Sequence, residues 1–336
     1  MRVNLRSILK YIIVFFIGLG ICYYLFKENL QRNFFDILAS SNWSYAILAG
    51  FFVLVAHVFR ALRWQLMLNP IAKQKTSFFN VYNALMVGYL LNLVLPRAGE
   101  LLRCGLVSKK EKLDPIAAFG TVIAERIFDL LMLFLFIVIL LFVYSSEIFG
   151  ILDNLKIGSI FTIQRILIAL FLMLIIVFLF FFLFKRKGKS PFLSKIKKGI
   201  LKLKEGFLAS KKIKNPTLFA FYTLLIWLFY TLSSFIGFKL FVATQELNFV
   251  SAMFTVVGGS FGMIAPIQGG IGAFHFMVSE CLRFLGIGPT IGLAYATIIH
   301  AAQTLIVIVF GFLSLILGFN FNISLNNEKQ QSNHQE

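Results

Sequence analysis

The sequence predicts an all-α, polytopic integral membrane protein with six long transmembrane helices and two re-entrant broken-helix hairpins in an inverted repeat. Three observations predict it. Of 336 residues, 59% are hydrophobic and only 14% are charged. A soluble domain is about 45–50% apolar and about 25% charged. Six apolar runs reach the ~20 residues that a bilayer crossing needs. Two further apolar stretches are each broken near the middle by Pro and Gly, and the two breaks align with one another. The composition excludes a soluble enzyme, a secreted disulfide scaffold and a disordered chain. Cys22, Cys104 and Cys281 lie far apart in apolar surroundings, a pattern that fits neither a disulfide frame nor a zinc site.

The six spans fall at about 8–26, 43–68, 116–144, 160–184, 217–243 and 289–318. The first follows Arg2, Arg6 and Lys10 and lacks a convincing small-residue cleavage site, so it reads as an uncleaved span. The two broken stretches are 77–108 and 249–285. Their breaks are Leu95-Pro96-Arg97-Ala98-Gly99-Glu100 and Ala265-Pro266-Ile267-Gln268-Gly269-Gly270-Ile271-Gly272. Each half of a stretch is too short to span, and the pair is long enough to enter and return. Such irregular backbone is tolerated at membrane depth only where protein or a watery cavity satisfies it.

Orientation follows from the basic residues. The loop 185–214 holds 12 Lys and Arg against the single acid Glu205, which places it in the cytoplasm. The N-terminus, Lys73 and Lys75, Lys109, Lys110 and Lys112, and the tail then also fall inside. That puts 21 basic residues inside and 3 (Lys27, Arg32, Lys156) outside. The split requires both hairpins to return to the side they entered, with Glu246 outside. The loop itself has near-helical spacing of Lys195, Lys198 and Lys202 with Phe192, Ile196, Ile200 and Leu203 between them. It reads as an ordinary positive-inside loop, or as a basic amphipathic helix on the anionic inner leaflet. The chain is then one transmembrane domain, 1–320, with a polar cytoplasmic tail, 321–336.

The two breaks align at a shift of 170 residues, with Pro96 on Pro266 and Gly99 on Gly269. The following spans align at a shift of 174, from Pro115 and Pro289. The repeats are 43–144 and 217–318, each a span, a broken hairpin and a span. The intervening span at 160–184 makes them opposite in orientation. Inverted repeats with broken helices near the midplane are a transporter plan, with each hairpin able to gate one side. The hinge candidates are Pro96, Gly99, Pro266, Gly269, Gly270 and Gly272.

Charge in a bilayer is costly and rarely idle. His57, Arg60 and Arg63 recur on the second span. Arg63, near the cytoplasmic end, is long enough to snorkel; Arg60 lies deeper, and a guanidinium there suits a phosphate. Arg97, Glu100 and Arg103 follow Pro96 at a spacing that shares one helical face, with Asn92 before the break. They read either as an internal cluster that stabilises the hairpin or as a net-positive site for an anionic headgroup, with Gln268 in the opposite break as a further polar candidate. Glu125, Arg126 and Asp129 lie in the third long span, where they can pair with the hairpin arginines or titrate. His275, Glu280 and Arg283 lie in the second hairpin, and His300 and Gln303 align with Arg126 and Asp129. Two histidines can carry protons but are too few for a metal. There is no nucleophile elbow, Walker loop or HExxH motif, and the glycines of the second hairpin lack the strand–helix setting of a dinucleotide loop.

The ordered set Arg60-Ala61-Leu62-Arg63-Trp64, Asn92, Pro96-Arg97-Ala98-Gly99-Glu100, Arg103, Glu125-Arg126, Asp129, then Gly269-Gly270-Ile271-Gly272 after Pro266 resembles the transmembrane region of the lysylphosphatidylglycerol synthase family, also called flippase-like membrane proteins. The resemblance covers about 5–320. It implies a bacterial inner-membrane protein that moves a lipid or lipid-linked group between leaflets. Relatives that transfer lysine carry a following soluble domain; here a short polar tail follows, so lysyl transfer is not expected. The family's last motif usually continues with Glu where this chain has His275.

The expected function is therefore a lipid flippase or transporter working by alternating access in the bacterial cytoplasmic membrane, both termini inside. Arg60, Arg63, Asn92, Arg97, Glu100, Arg103 and Gln268 would bind an anionic phospholipid or polyprenyl phosphate. Glu125, Arg126, Asp129, His275 and His300 would balance or couple charge. No cofactor, metal, catalytic residue or nucleic-acid partner is expected. Two other readings are a membrane-embedded transferase acting on a lipid-linked sugar or phosphate, and a non-catalytic membrane partner of a soluble lipid-modifying enzyme.

Overall fold

The computed structural model of the chain describes residues 34–145, 206–265 and 267–318, together with Gly20. Among these, all regular structure is helical. A short α1 (Phe34–Ala39) precedes α2 (Trp43–Leu68), α3 (Phe78–Asn92), α4 (Ala98–Glu111) and α5 (Pro115–Val143). Beyond residue 205 follow α6 (Pro216–Gly237), α7 (Phe249–Ile264), α8 (Ala273–Phe284) and α9 (Pro289–Gly318).

Local chemistry sets where the long helices begin. The Asn42 side chain accepts from the Ser44 N–H ahead of α2. Asp114 accepts from Ile116 and Ala117 at the head of α5, with Pro115 next to it. Asn215 accepts from Leu218 ahead of α6, followed by Pro216. These oxygens satisfy N–H groups that lack an intrahelical partner, and proline at the first helical position gives up no hydrogen bond.

Helices α2, α5, α6 and α9 are long and apolar enough to cross a bilayer. They fall on the spans expected at 43–68, 116–144, 217–243 and 289–318. One end differs: α6 stops at Gly237 and gives way to two short 3-10 turns, Phe238–Leu240 and Val242–Thr244. The Thr244 hydroxyl contacts the carbonyls of Phe238 and Phe241 (2.6 and 3.1 Å) and holds that turn. The spans expected at 8–26 and 160–184, the basic segment through 205, Pro266 and the tail lie outside the described residues. Outward faces of α5 (Leu130, Leu131, Phe134, Phe142) and α9 (Leu305, Phe312, Ile316, Leu317) are exposed and apolar, as lipid contact requires.

The other four main helices form two hairpins. α3 and α4 have 15 and 14 residues, and α7 and α8 have 16 and 12. All are shorter than a bilayer crossing. Within each hairpin the two arms pack on one another. Gly88 and Gly99 make the first approach possible: a Cβ on Gly88 would lie 2.7 Å from the Gly99 carbonyl oxygen, and one on Gly99 would overlap the Gly88 oxygen. The long–short–short–long order occurs twice. α2 lies along α6; α3 packs on α9 and α7 on α5; α4 packs on α5 and α8 on α9. Buried apolar residues gather in three clusters, around Trp64 and Leu85, around Tyr295 and Leu282, and around Trp227 and Phe136.

Candidate functional site

Three arginines from two elements converge on one acidic helix. Arg60 and Arg63 project from α2, Arg103 from α4, and Glu125 and Asp129 from α5. Arg60 donates to Glu125 (2.7 Å) and to Asp129 (2.8 Å). Arg63 donates to Asp129 at 2.7 Å and lies 3.5 Å from Glu125. Arg103 donates to the second oxygen of Glu125 at 3.0 Å. Its guanidinium also sits 4.5 Å from the Trp64 ring centre, and Trp64 is fixed by its indole N–H on Thr121. Outside this core, Arg126 pairs with Glu100 (2.8 Å) and lies 3.6 Å from Asp129.

Two expectations are corrected here. Arg63 does not snorkel: its side chain is 0% exposed, because Asp129 on a neighbouring helix draws it inward. Arg97, Glu100 and Arg103 do not share a helical face. Arg97 precedes α4 in the left-handed region (φ 62°), so the regular spacing starts only after it. The three charges consequently go to three different partners, and no Arg–Glu–Arg cluster forms within the hairpin.

Arg97 is the link between the two breaks. Its guanidinium donates to the Ile264 carbonyl at 2.7 Å, at the end of α7. A cation there meets the negative pole of the helix. Nearby, a Cβ on Gly269 would lie 3.4 Å from Leu93, so the hairpin tips touch. Val94, Met263, Ile264 and Ile271 around this junction are exposed. Asn92, a substrate-contact candidate in the sequence, accepts from the Gly99 N–H (2.8 Å) and ties the two arms of its own hairpin.

The second break is built from glycines and histidines. Gly269, Gly270 and Gly272 all have positive φ (58°, 74° and 88°), which a side chain rarely tolerates. His300 on α9 donates from Nε2 to the Gly269 carbonyl at 2.8 Å. The Gly272 N–H donates to His275 Nδ1 at 3.2 Å. The two rings stand 4.9 Å apart, and Phe274 stacks on His300. Gln268 is buried. Glu280 and Arg283 pair with each other on the surface. Among the described residues no three His, Cys, Asp or Glu side chains meet as a metal ion needs.

His275 therefore occupies the third position of α8 and accepts the first N–H, the place a Glu fills in a capping box. His275→Glu is expected to keep the cap and the fold. His275→Ala should cost about 1 kcal/mol, read as a fall of about 2–4 °C in the melting temperature of the detergent-solubilised protein.

Sequence reasoning missed two polar groups. Tyr230 on α6 receives a hydrogen bond from Arg60 (3.4 Å), and its ring, with that of Tyr89, flanks His57. The signal was present: Tyr230 is Arg60 plus the 170-residue shift that aligns the breaks. A buried hydroxyl trio, Ser234, Thr255 and Tyr295, joins α6, α7 and α9. Isolated hydroxyls in apolar runs carry no spacing that would reveal it.

The model of the lysylphosphatidylglycerol synthase TM region matches residues 8–311. A UPF0104 membrane protein of Methanocaldococcus jannaschii is 25% identical over 170 residues, covering 50% of this chain and 49% of the relative. The chain thus spans about half the length of that curated relative. No solved structure matches the chain.

Proposed function

The chain belongs to the family of the lysylphosphatidylglycerol synthase transmembrane region, and from that premise we propose that it is a flippase moving an anionic lipid between the leaflets of the bacterial cytoplasmic membrane. The observation that carries this reading is the meeting of two broken hairpins tip to tip, bridged by Arg97 on the Ile264 carbonyl. In each half, the following long helix holds its own hairpin at the aligned position. Arg126 reaches Glu100, and His300, which is 174 residues on, reaches Gly269. Matching supports on opposite hairpins suit two gates that open in turn.

The hairpins enter from opposite faces, the first from the cytoplasm, with the basic loop and both termini inside. Arg97 takes the headgroup phosphate, while acyl chains run along the exposed apolar residues beside it. The buried arginines and carboxylates hold α2, α4 and α5 together while the tips part. His275 and His300 act on the second hinge, and a soluble lipid-modifying enzyme is a fitting partner for the cytoplasmic face.

Reconstitution into liposomes tests the proposal. Fluorescent phosphatidylglycerol and a polyprenyl phosphate are placed in one leaflet, and their accessibility to a membrane-impermeant quencher or reagent is followed. Exchange of at least one anionic lipid should exceed that in protein-free vesicles by tenfold or more. Exchange at the protein-free rate for both lipids would refute the flippase.

A further inference from the structure

The buried charges at α2, α4 and α5 do not balance. Arg60, Arg63 and Arg103 face Glu125 and Asp129, which leaves one positive charge. The neighbouring Glu100–Arg126 pair is neutral and does not change this. Their hydrogen bonding is also incomplete. Among the described residues, Arg60 Nε, Arg63 Nε and Nη1, and Arg103 Nε and Nη1 are buried with no partner, as is Arg126 Nε. Arg63 and Arg103 each spend only Nη2 on a carboxylate.

A buried donor left unpaired is destabilising, more so when charged. A buried ion network that leaves one charge uncompensated is strongly disfavoured. Water is a poor remedy. The unpaired guanidinium atoms are all donors, and a water accepting from them brings no negative charge to offset the surplus. An acceptor-only guest with a single negative charge answers both deficits together. We propose that this cluster is a binding site for one monovalent inorganic anion, chloride or bromide, seated between Arg63 and Arg103. These nitrogens are buried, so the ion enters by displacing side chains of the cluster. The site is independent of the lipid path at Arg97 and can exist whether or not the protein is a flippase.

The test uses the purified full chain in a non-ionic detergent, with thermal unfolding read by tryptophan fluorescence. Sodium and ionic strength are held fixed while chloride or bromide replaces gluconate. The melting temperature should rise saturably, by about 2–4 °C at tenfold excess over the dissociation constant. Arg63→Gln balances the cluster and should lose this response. Should that variant not fold, bromide-soaked crystals of the unaltered protein should give an anomalous peak beside Arg63 and Arg103. Equal melting in gluconate and halide, with no such peak, would overturn the site. Stabilisation by added phosphatidylglycerol with no effect of halide would overturn it too, since the donors would then serve a lipid phosphate.

Discussion

Glu125→Gln is expected to destabilise the protein by about 3–5 kcal/mol, enough to abolish accumulation of folded protein in the membrane or to lower its detergent melting temperature by 10 °C or more. Glu125 is 0% exposed, and its two oxygens take hydrogen bonds from Arg60 on α2 and Arg103 on α4. Glutamine keeps the shape and removes the charge. Three buried guanidinium groups would then share Asp129 alone, and one amide N–H₂ would face donors. The matched control is Glu280→Gln. Its partner Arg283 is 64% exposed, so that change should stay within about 0.5 kcal/mol. Melting of Glu125→Gln within a degree or two of the unaltered protein would mean that the cluster contributes little to holding α2, α4 and α5 together.

The effect at Glu125 was only half legible in the sequence. That Glu125 and Asp129 share a face of a long apolar helix follows from their spacing, and the cost of charge in such a helix marks them as paired. Which arginines they meet depends on how α2 and α4 pack against α5, and no periodicity within one segment encodes that. The arginines after Pro96 show the same limit more sharply. Their spacing assumes an unbroken helix, whereas the left-handed Arg97 turns the chain and sends its own side chain to the other hairpin.

The long helices were legible because length and apolarity decide them locally, and the starts of α2, α5 and α6 are fixed by an Asx cap. The end of α6 was not. Residues 238–243 remain apolar apart from Lys239, but the Thr244 hydroxyl turns the chain there through backbone contacts that hydropathy does not register. The breaks were legible for a different reason. Proline and glycine act on backbone geometry directly, and the positive φ of Gly269, Gly270 and Gly272 is a state their lack of a side chain allows.

Arg97→Gly should leave the fold intact and lower anionic lipid exchange by at least tenfold. A non-glycine residue in the left-handed region carries about 1–2 kcal/mol of strain. Glycine relieves it, which offsets the lost hydrogen bond of about 1.5–3 kcal/mol from a charged donor to the Ile264 carbonyl. The melting temperature should therefore move by only a few degrees. What disappears is the cation at the junction of the hairpins, where the proposed path would take the headgroup phosphate. Arg97→Lys retains the charge without the planar donors and should fall between the two. The comparison separates support from transport. If Arg97→Gly unfolds, the bridge to Ile264 is chiefly structural. If it folds and exchanges lipid at the unaltered rate, the headgroup does not engage Arg97, and the path must run elsewhere between the hairpins.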